Sequence, residues 1–141
     1  MKTILVLCTG NSCRSQMMQA YLNNFLKDKA LVYSAGIEAH GLNTLTIKAM
    51  IDDGIDISNH TSNNVSEYKD IVFDYLISVC DKAKELCPHF PAQTKIIHYS
   101  FPDPAQAEGS ETEVYEEFVK VRDMIKEFCI DFSNSIFRIK I

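Results

Sequence analysis

"TILVLCTGNSCRS", residues Thr3 to Ser15, is the stretch from which the fold is read. "TILVLC" is a continuous apolar run closed by a cluster of Gly, Asn and Ser, which predicts a short strand buried on both faces. Beyond the cluster, Met17, Met18, Tyr21, Leu22, Phe25 and Leu26 recur at helical spacing. Strand therefore passes into helix through a loop that holds Cys8 and Arg14 as C-x5-R. At the end of a strand, Thr9, Gly10, Asn11, Ser12 and Cys13 can curl so that their backbone N–H groups converge on one centre, an anion nest. The following helix adds its positive end, worth roughly 0.3–2 kcal/mol to an anion. Arg14 can grip two oxygens of a tetrahedral oxyanion with a charge that does not titrate away.

The same groups stabilise a thiolate at Cys8, since a thiol near pKa ~8.5 falls to ~3.5–7.5 in such surroundings. Ser15 is placed to hydrogen-bond that thiolate, Gly10 admits backbone angles that other residues resist, and the Asn11 amide can tie the loop to itself. A Cys at a strand end can also be a small buried hydrophobe. The ordered series of strand, Gly- and Asn-bearing loop, Arg-Ser and amphipathic helix favours the nucleophile. The candidate substrate contacts are thus Thr9, Gly10, Asn11, Ser12, Cys13, Arg14 and Ser15, with Cys13 itself having no chemical role its position supplies.

The pattern repeats along the chain. "LVYSAG" is a second strand, and Gly36 allows a sharp exit from it. Asn43 can cap a helix carrying Leu45, Ile47, Met50 and Ile51 that stops at Gly54. "YLISV" and "KIIHY" are a third and a fourth strand. Ser110 and Glu113 form a capping box, after which Val114, Phe118, Val121, Ile125 and Phe128 hold one helical face up to Cys129. The tail after Asn134 reads equally as helix, edge strand or frayed end. Alternating strands and helices predict an α/β fold in three layers, a central four-stranded parallel sheet flanked by helices. The 141 residues are expected to form a single domain, 1–141.

A net charge of −5 offers no basic face for nucleic acid or an anionic membrane. The N-terminal apolar run is too short for the roughly 7–15-residue core of a secretory signal, and Leu7 precedes Cys8 where a lipidated cysteine wants a small residue. No stretch reaches the ~18 apolar residues of a membrane span. A cytoplasmic location is expected, where five cysteines are catalytic, metal-binding or buried rather than disulfide staples.

"CTGNSCRSQM", "VYSAGIEAHG", "GIDISNHTS", the Cys80/Cys87 pair before Pro88, "FPDPA" and "VRDMI" together resemble the thioredoxin-coupled arsenate reductases, from about Lys2 to Phe128. That family shares the low-molecular-weight tyrosine phosphatase fold. The resemblance makes Asp103, held extended before Pro104, the general acid that protonates the departing oxygen; a surface Asp-Pro turn is the lesser reading of the residues alone. Ala105 stands where phosphatases of this fold carry an aromatic against phosphotyrosine.

Cys80 and Cys87 admit three readings: buried packing residues, a zinc site with His89 and His98, or a redox pair. Their segment is rich in Asp, Lys and Glu, hence exposed, and C-x6-C-x-H-x8-H fits no common zinc finger. The resemblance implies the redox pair. In the cascade it implies, Cys8 attacks arsenate, Cys80 attacks Cys8 to leave a Cys8–Cys80 disulfide, and Cys87 moves it to Cys80–Cys87. Thioredoxin then reduces that last disulfide, with no metal or organic cofactor. If residues 80–87 are helical, seven residues rise roughly 10.5 Å, whereas a disulfide wants its Cα atoms within about 4.4–6.8 Å, so the segment must unwind. The alternative is a phosphatase using Cys8, Arg14 and Asp103; an oxyanion or redox sensor ranks last. A monomer is expected, with arsenate, phosphate or sulfate as oxyanion ligands. Some relatives bind potassium beside the loop; the matching positions here are Asn11, Gln19, Ser34 and Asn63, where neutral amides replace both carboxylates, so little potassium response is expected.

Overall fold

The computed structural model describes residues 1–85 and 89–141. Four strands, β1 (Lys2–Cys8), β2 (Ala30–Gly36), β3 (Tyr75–Ser78) and β4 (Lys95–His98), form one sheet in the order β2-β1-β3-β4, every pair parallel. β1 lies in the centre and Ile4 to Leu7 are wholly buried, the burial on both faces that their uninterrupted apolar run requires. Helices α1 (Arg14–Phe25), α2 (Thr44–Asp52), α3 (Asp81–Glu85) and α4 (Glu111–Phe137) cover the sheet. α4 packs on α1 and α2 through Phe118, Val121, Ile125 and Cys129.

Local signals act as their chemistry dictates. Asn43 accepts from the Leu45 and Thr46 amides to start α2, and Gly54, at φ +84°, follows its end. Ser110 and Glu113 exchange both bonds of a capping box at 3.2 Å. The long helix runs further than its apolar stripe predicts. It continues to Phe137 because Phe132 and Phe137 pack on Tyr75 of β3, with centroids 5.8 and 6.2 Å away. Arg138 then turns left-handed, and its N–H bonds back to the Ser133 carbonyl. The tail is thus helix to Phe137 and irregular beyond.

Topology decides where chemistry can occur. In a parallel sheet all strands end on the same side, and ligands sit outside those carboxyl ends. β1 ends at Cys8, and β3, its direct neighbour, ends at Ser78, two residues before Cys80. The Val79 amide bonds to the Leu7 carbonyl at 3.0 Å, continuing the register to the two cysteines.

Candidate active site

The loop from Cys8 to Ser15 closes on itself through a buried network. Asn11 adopts the left-handed conformation at φ 50°. Its Nδ2 donates to Ser15 Oγ at 2.8 Å and Ser34 Oγ at 3.0 Å, while its Oδ1 accepts from the Asn63 amide at 2.8 Å. Gln16 donates to the Asn11 and Thr61 carbonyls and meets His60 Nδ1 at 3.0 Å. Because both Gln16 donations use its N–H groups, its oxygen must accept, and the proton lies on His60 Nδ1.

Two glycines serve here for closeness rather than for unusual angles. A Cβ on Gly36 would run into the Glu38 carbonyl and lie 2.6 Å from the Thr9 oxygen and 2.8 Å from the Asn11 nitrogen. A Cβ on Gly10 would meet the His40 ring. The expectation that Gly10 uses backbone angles other residues resist is corrected: Asn11 bears the positive φ, and Gly10 does not.

Arg14 opens α1 and is buried, with 8% of its surface exposed. Nη1 donates to the Phe101 carbonyl at 3.0 Å, and Nη2 lies 3.6 Å from Asp103. Nε, buried, has no acceptor among the described residues. A donor so placed carries a cost unless an anion takes it. α1 has no side-chain cap on its first amides either, and the Ser15 N–H bonds to the Cys8 sulfur. Ser15 thus reaches Cys8 through its backbone, its hydroxyl being taken by Asn11.

Asp103 caps a 3-10 turn (Pro104–Gln106) through the Ala105 amide at 3.0 Å, which aims its other oxygen at Arg14. Cys8, Thr9, Gly10, Ser12, Cys13, Arg14, His40, Asp103, Ala105 and Gln106 enclose about 240 Å³. That hollow suits an inorganic tetrahedral ion, and Ala105 offers no ring for an aryl group. A larger apolar hollow of about 360 Å³ lies between Leu5, Tyr68, Phe73 and Phe90, but its described lining holds no thiol.

Cys80 comes to the same site. It is 4% exposed, and its sulfur lies 3.2 Å from Thr9 Oγ1 and 3.4 Å from the Ala83 amide of α3. Cys8 donates its S–H to the Cys80 sulfur. That bond, with help from Thr9, Ala83 N–H and Arg14, pulls the Cys80 thiol down to about 5. The same bond, together with burial, pushes Cys8 well above the ordinary thiol range. The two thiols are thus coupled through one proton, and the opposite directions of the two shifts favour Cys8 as its holder. Cys8, Cys13, Cys80 and Cys129 are all free thiols. Burial pushes Cys13 and Cys129 up, so neither is poised to react.

Of the remaining expected site residues, Cys87 lies outside the described residues. α3, the described part of the segment between the two cysteines, is helical, with Asp81, Lys82, Lys84 and Glu85 exposed. His98, the strand donor of the zinc reading, has both ring nitrogens engaged, by Ser78 and Asp81. The residues matching a potassium site do not fit a cation. Gln19 Oε1 accepts the Ser34 hydroxyl at 2.6 Å because its Nε2 is held by the Val32 carbonyl. Asn11 turns its N–H groups inward, and the Asn63 side chain bonds outward to Thr61 and Glu67. A cation would meet N–H donors and occupied oxygens.

The profile of the low molecular weight phosphotyrosine protein phosphatase family matches residues 3–140. The chain belongs to that family. Within it, the chain is 50% identical to an arsenate reductase of Bacillus licheniformis, covering 89% of this chain and 91% of the relative. It is 48% identical to the arsenate reductase of Bacillus subtilis strain 168, covering 95% and 96%. The solved structure of an arsenate reductase in the phosphate binding state superposes with a TM-score of 0.72 at 29% identity, over 99% of this chain and all of that one. Relatives of this chain thus include proteins named arsenate reductase.

Sequence reading missed three parts of this site: the Phe101 carbonyl that fixes Arg14, the Gln16–His60 brace, and the Ser78–His98–Asp81 chain. Each joins residues distant in sequence, and only the register between β3 and β4, pairing Ser78 with His98, could have suggested the last.

Proposed function

We propose that this chain reduces arsenate to arsenite by thiol exchange. The observation that carries the reading is the Cys80 sulfur, bonded to Thr9 and Cys8, two residues that line the oxyanion pocket. A phosphatase needs no second thiol there. Arsenate takes the loop N–H groups and the free Arg14 Nε, and passage of the shared proton to Cys80 arms Cys8 as the thiolate. Cys8 attacks arsenic while Asp103 hands a proton to the departing oxygen, which leaves as water. The Cys80 proton passes to an oxygen of the arsenic group, and the Cys80 thiolate attacks the Cys8 sulfur. An S–S bond forms, the S–As bond breaks with its electron pair left on arsenic, and arsenite departs. Two thiols are oxidised as As(V) becomes As(III), so the balance needs no metal or organic cofactor.

Cys87 then attacks Cys80, releases Cys8, and leaves a Cys80–Cys87 disulfide for thioredoxin to reduce. The exposed polar face of α3 supports delivery of that disulfide to a partner at the surface. The protein works as a cytoplasmic monomer in this reading; no helix among the described residues is long and apolar enough to cross a membrane. Arsenate-dependent NADPH oxidation through thioredoxin and its reductase tests the whole cycle. Wild type should turn over, whereas Cys80→Ser and Cys87→Ser should not. Reduction that persists without Cys87, or a higher kcat/KM on phosphotyrosine than on arsenate, would overturn it. Weak phosphate-ester hydrolysis, needing only Cys8, Arg14 and Asp103, is expected as a side activity that survives Cys80→Ser.

A further inference from the structure

Cys80 rides on a turn that leaves β3 at Ser78 and enters α3 at Asp81. Both flanks of this turn are bound by one side chain. Ser78 Oγ, on a residue 2% exposed, lies 2.7 Å from His98 Nδ1, and the Asp81 carboxylate lies 3.1 Å from His98 Nε2. His98 stands directly across from Ser78 in the β3–β4 ladder, so its ring is anchored by the sheet. With the Asp81 carboxylate as acceptor, Nε2 carries a proton, and the neutral ring can accept from Ser78 at Nδ1. Among the described residues, the other side-chain bonds fixing the turn toward the loop are those of Cys80 itself, to Thr9 and Cys8.

We propose that His98 is a positioning residue for the second thiol step, stapling Ser78 to Asp81 so that the Cys80 sulfur stays against Thr9 and Cys8. The proposal rests on the reductase reading for its chemistry: Cys80 must meet the Cys8 sulfur in line with the S–As bond. A small misplacement of the attacking atom is costly to such a step. Attack of Cys8 on the substrate uses Arg14 and Asp103 and does not involve the staple. Loss of the staple therefore separates two reactions of one nucleophile, slowing disulfide formation and sparing phosphate-ester hydrolysis.

Single-turnover experiments on the reduced full chain test this, with His98→Asn and Asp81→Asn beside wild type. Asparagine at 98 keeps a polar group near the position of Nδ1 for Ser78 but does not reach Asp81. Asp81 is exposed, so its variant spares the core. Arsenate is mixed in, thiols are trapped by alkylation, and the Cys8–Cys80 disulfide and arsenite are followed together. Either variant should slow both about five- to tenfold, equivalent to loss of roughly one ordinary hydrogen bond. The double variant should be no slower than a single one, because both break the same staple. Hydrolysis of p-nitrophenyl phosphate should stay within about twofold of wild type. Equal disulfide rates, or an equal fall in ester hydrolysis, overturn the proposal. Residue-resolved iodoacetamide labelling without arsenate decides the staple on its own: Cys80 should label faster in both variants, and an unchanged rate refutes it. Failure of wild type to release arsenite would instead count against the reductase reading and leave that labelling result standing.

Discussion

The two cysteines of the site are held by different amounts of structure. Around Cys8, Asn11 makes four hydrogen bonds, Gln16 three and Gly36 has no room for a methyl group, so the cradle has one shape. Around Cys80, the turn is bound by Thr9, Cys8 and His98 and by the Val79 amide, and four of the five described residues of α3 behind it are exposed. The difference follows the tasks. An oxyanion cradle works by fixed dipoles and loses by moving. A thiol that takes oxidation and passes it on must be presented first and released afterwards, which a segment with an exposed polar face permits.

The sharpest way to break this comparison is at the nucleophile. Cys8→Ala should abolish both arsenate reduction and p-nitrophenyl phosphate hydrolysis, whereas Cys80→Ser should abolish only the first. Retention of reduction by the Cys8 variant would mean that the chemistry lies elsewhere. Next comes the cradle: Asn11→Ala removes a left-handed asparagine and its buried bonds and should cost about 3 kcal/mol in urea unfolding. A loss below about 1 kcal/mol would show the loop to be no stiffer than the turn.

The shared proton gives a pH test. Because the Cys80 thiol is depressed to about 5 chiefly by the S–H bond from Cys8, one thiolate per chain should appear at 240 nm as pH rises through about 5. Below that point the pair gains a second proton and reduction should fall. In Cys8→Ala the donor is gone, so the remaining Cys80 thiolate should appear at higher pH; an unmoved midpoint would assign the depression to α3 and Thr9 instead. The smallest effect concerns potassium. At equal ionic strength, exchange of sodium for potassium chloride should change kcat/KM by less than about twofold, since the site beside Asn11 presents N–H groups. A larger rise would mean that Gln19 and Ser34 turn to bind the ion.

The strand–loop–helix of Cys8 was legible because everything it needs is contiguous: an apolar run, a loop of fixed length, then a helix. The four strands and both helix caps were legible for the same reason. What stayed hidden depends on partners far along the chain. α4 continues past Cys129 because Phe132 and Phe137 find Tyr75, a contact no local pattern announces. Gly36 looks like a turn residue until the Thr9 and Glu38 carbonyls are seen to crowd it. Asn63 aligns with a ligand position, yet enters the network through its backbone and sends its side chain to Glu67. Motif spacing identifies which residues can act; direction and distance decide which of them do.

β1 and β3 are parallel neighbours that end beside one hollow, although Cys80 and its contact Thr9 are 71 positions apart along the backbone. In evolutionary terms, this neighbourhood makes a new reaction cheap to reach. A fold that already binds an oxyanion over one strand end acquires a reductant when a thiol is placed one strand over, without remodelling the cradle. Ester hydrolysis and oxyanion reduction are then a few substitutions apart on the same sheet.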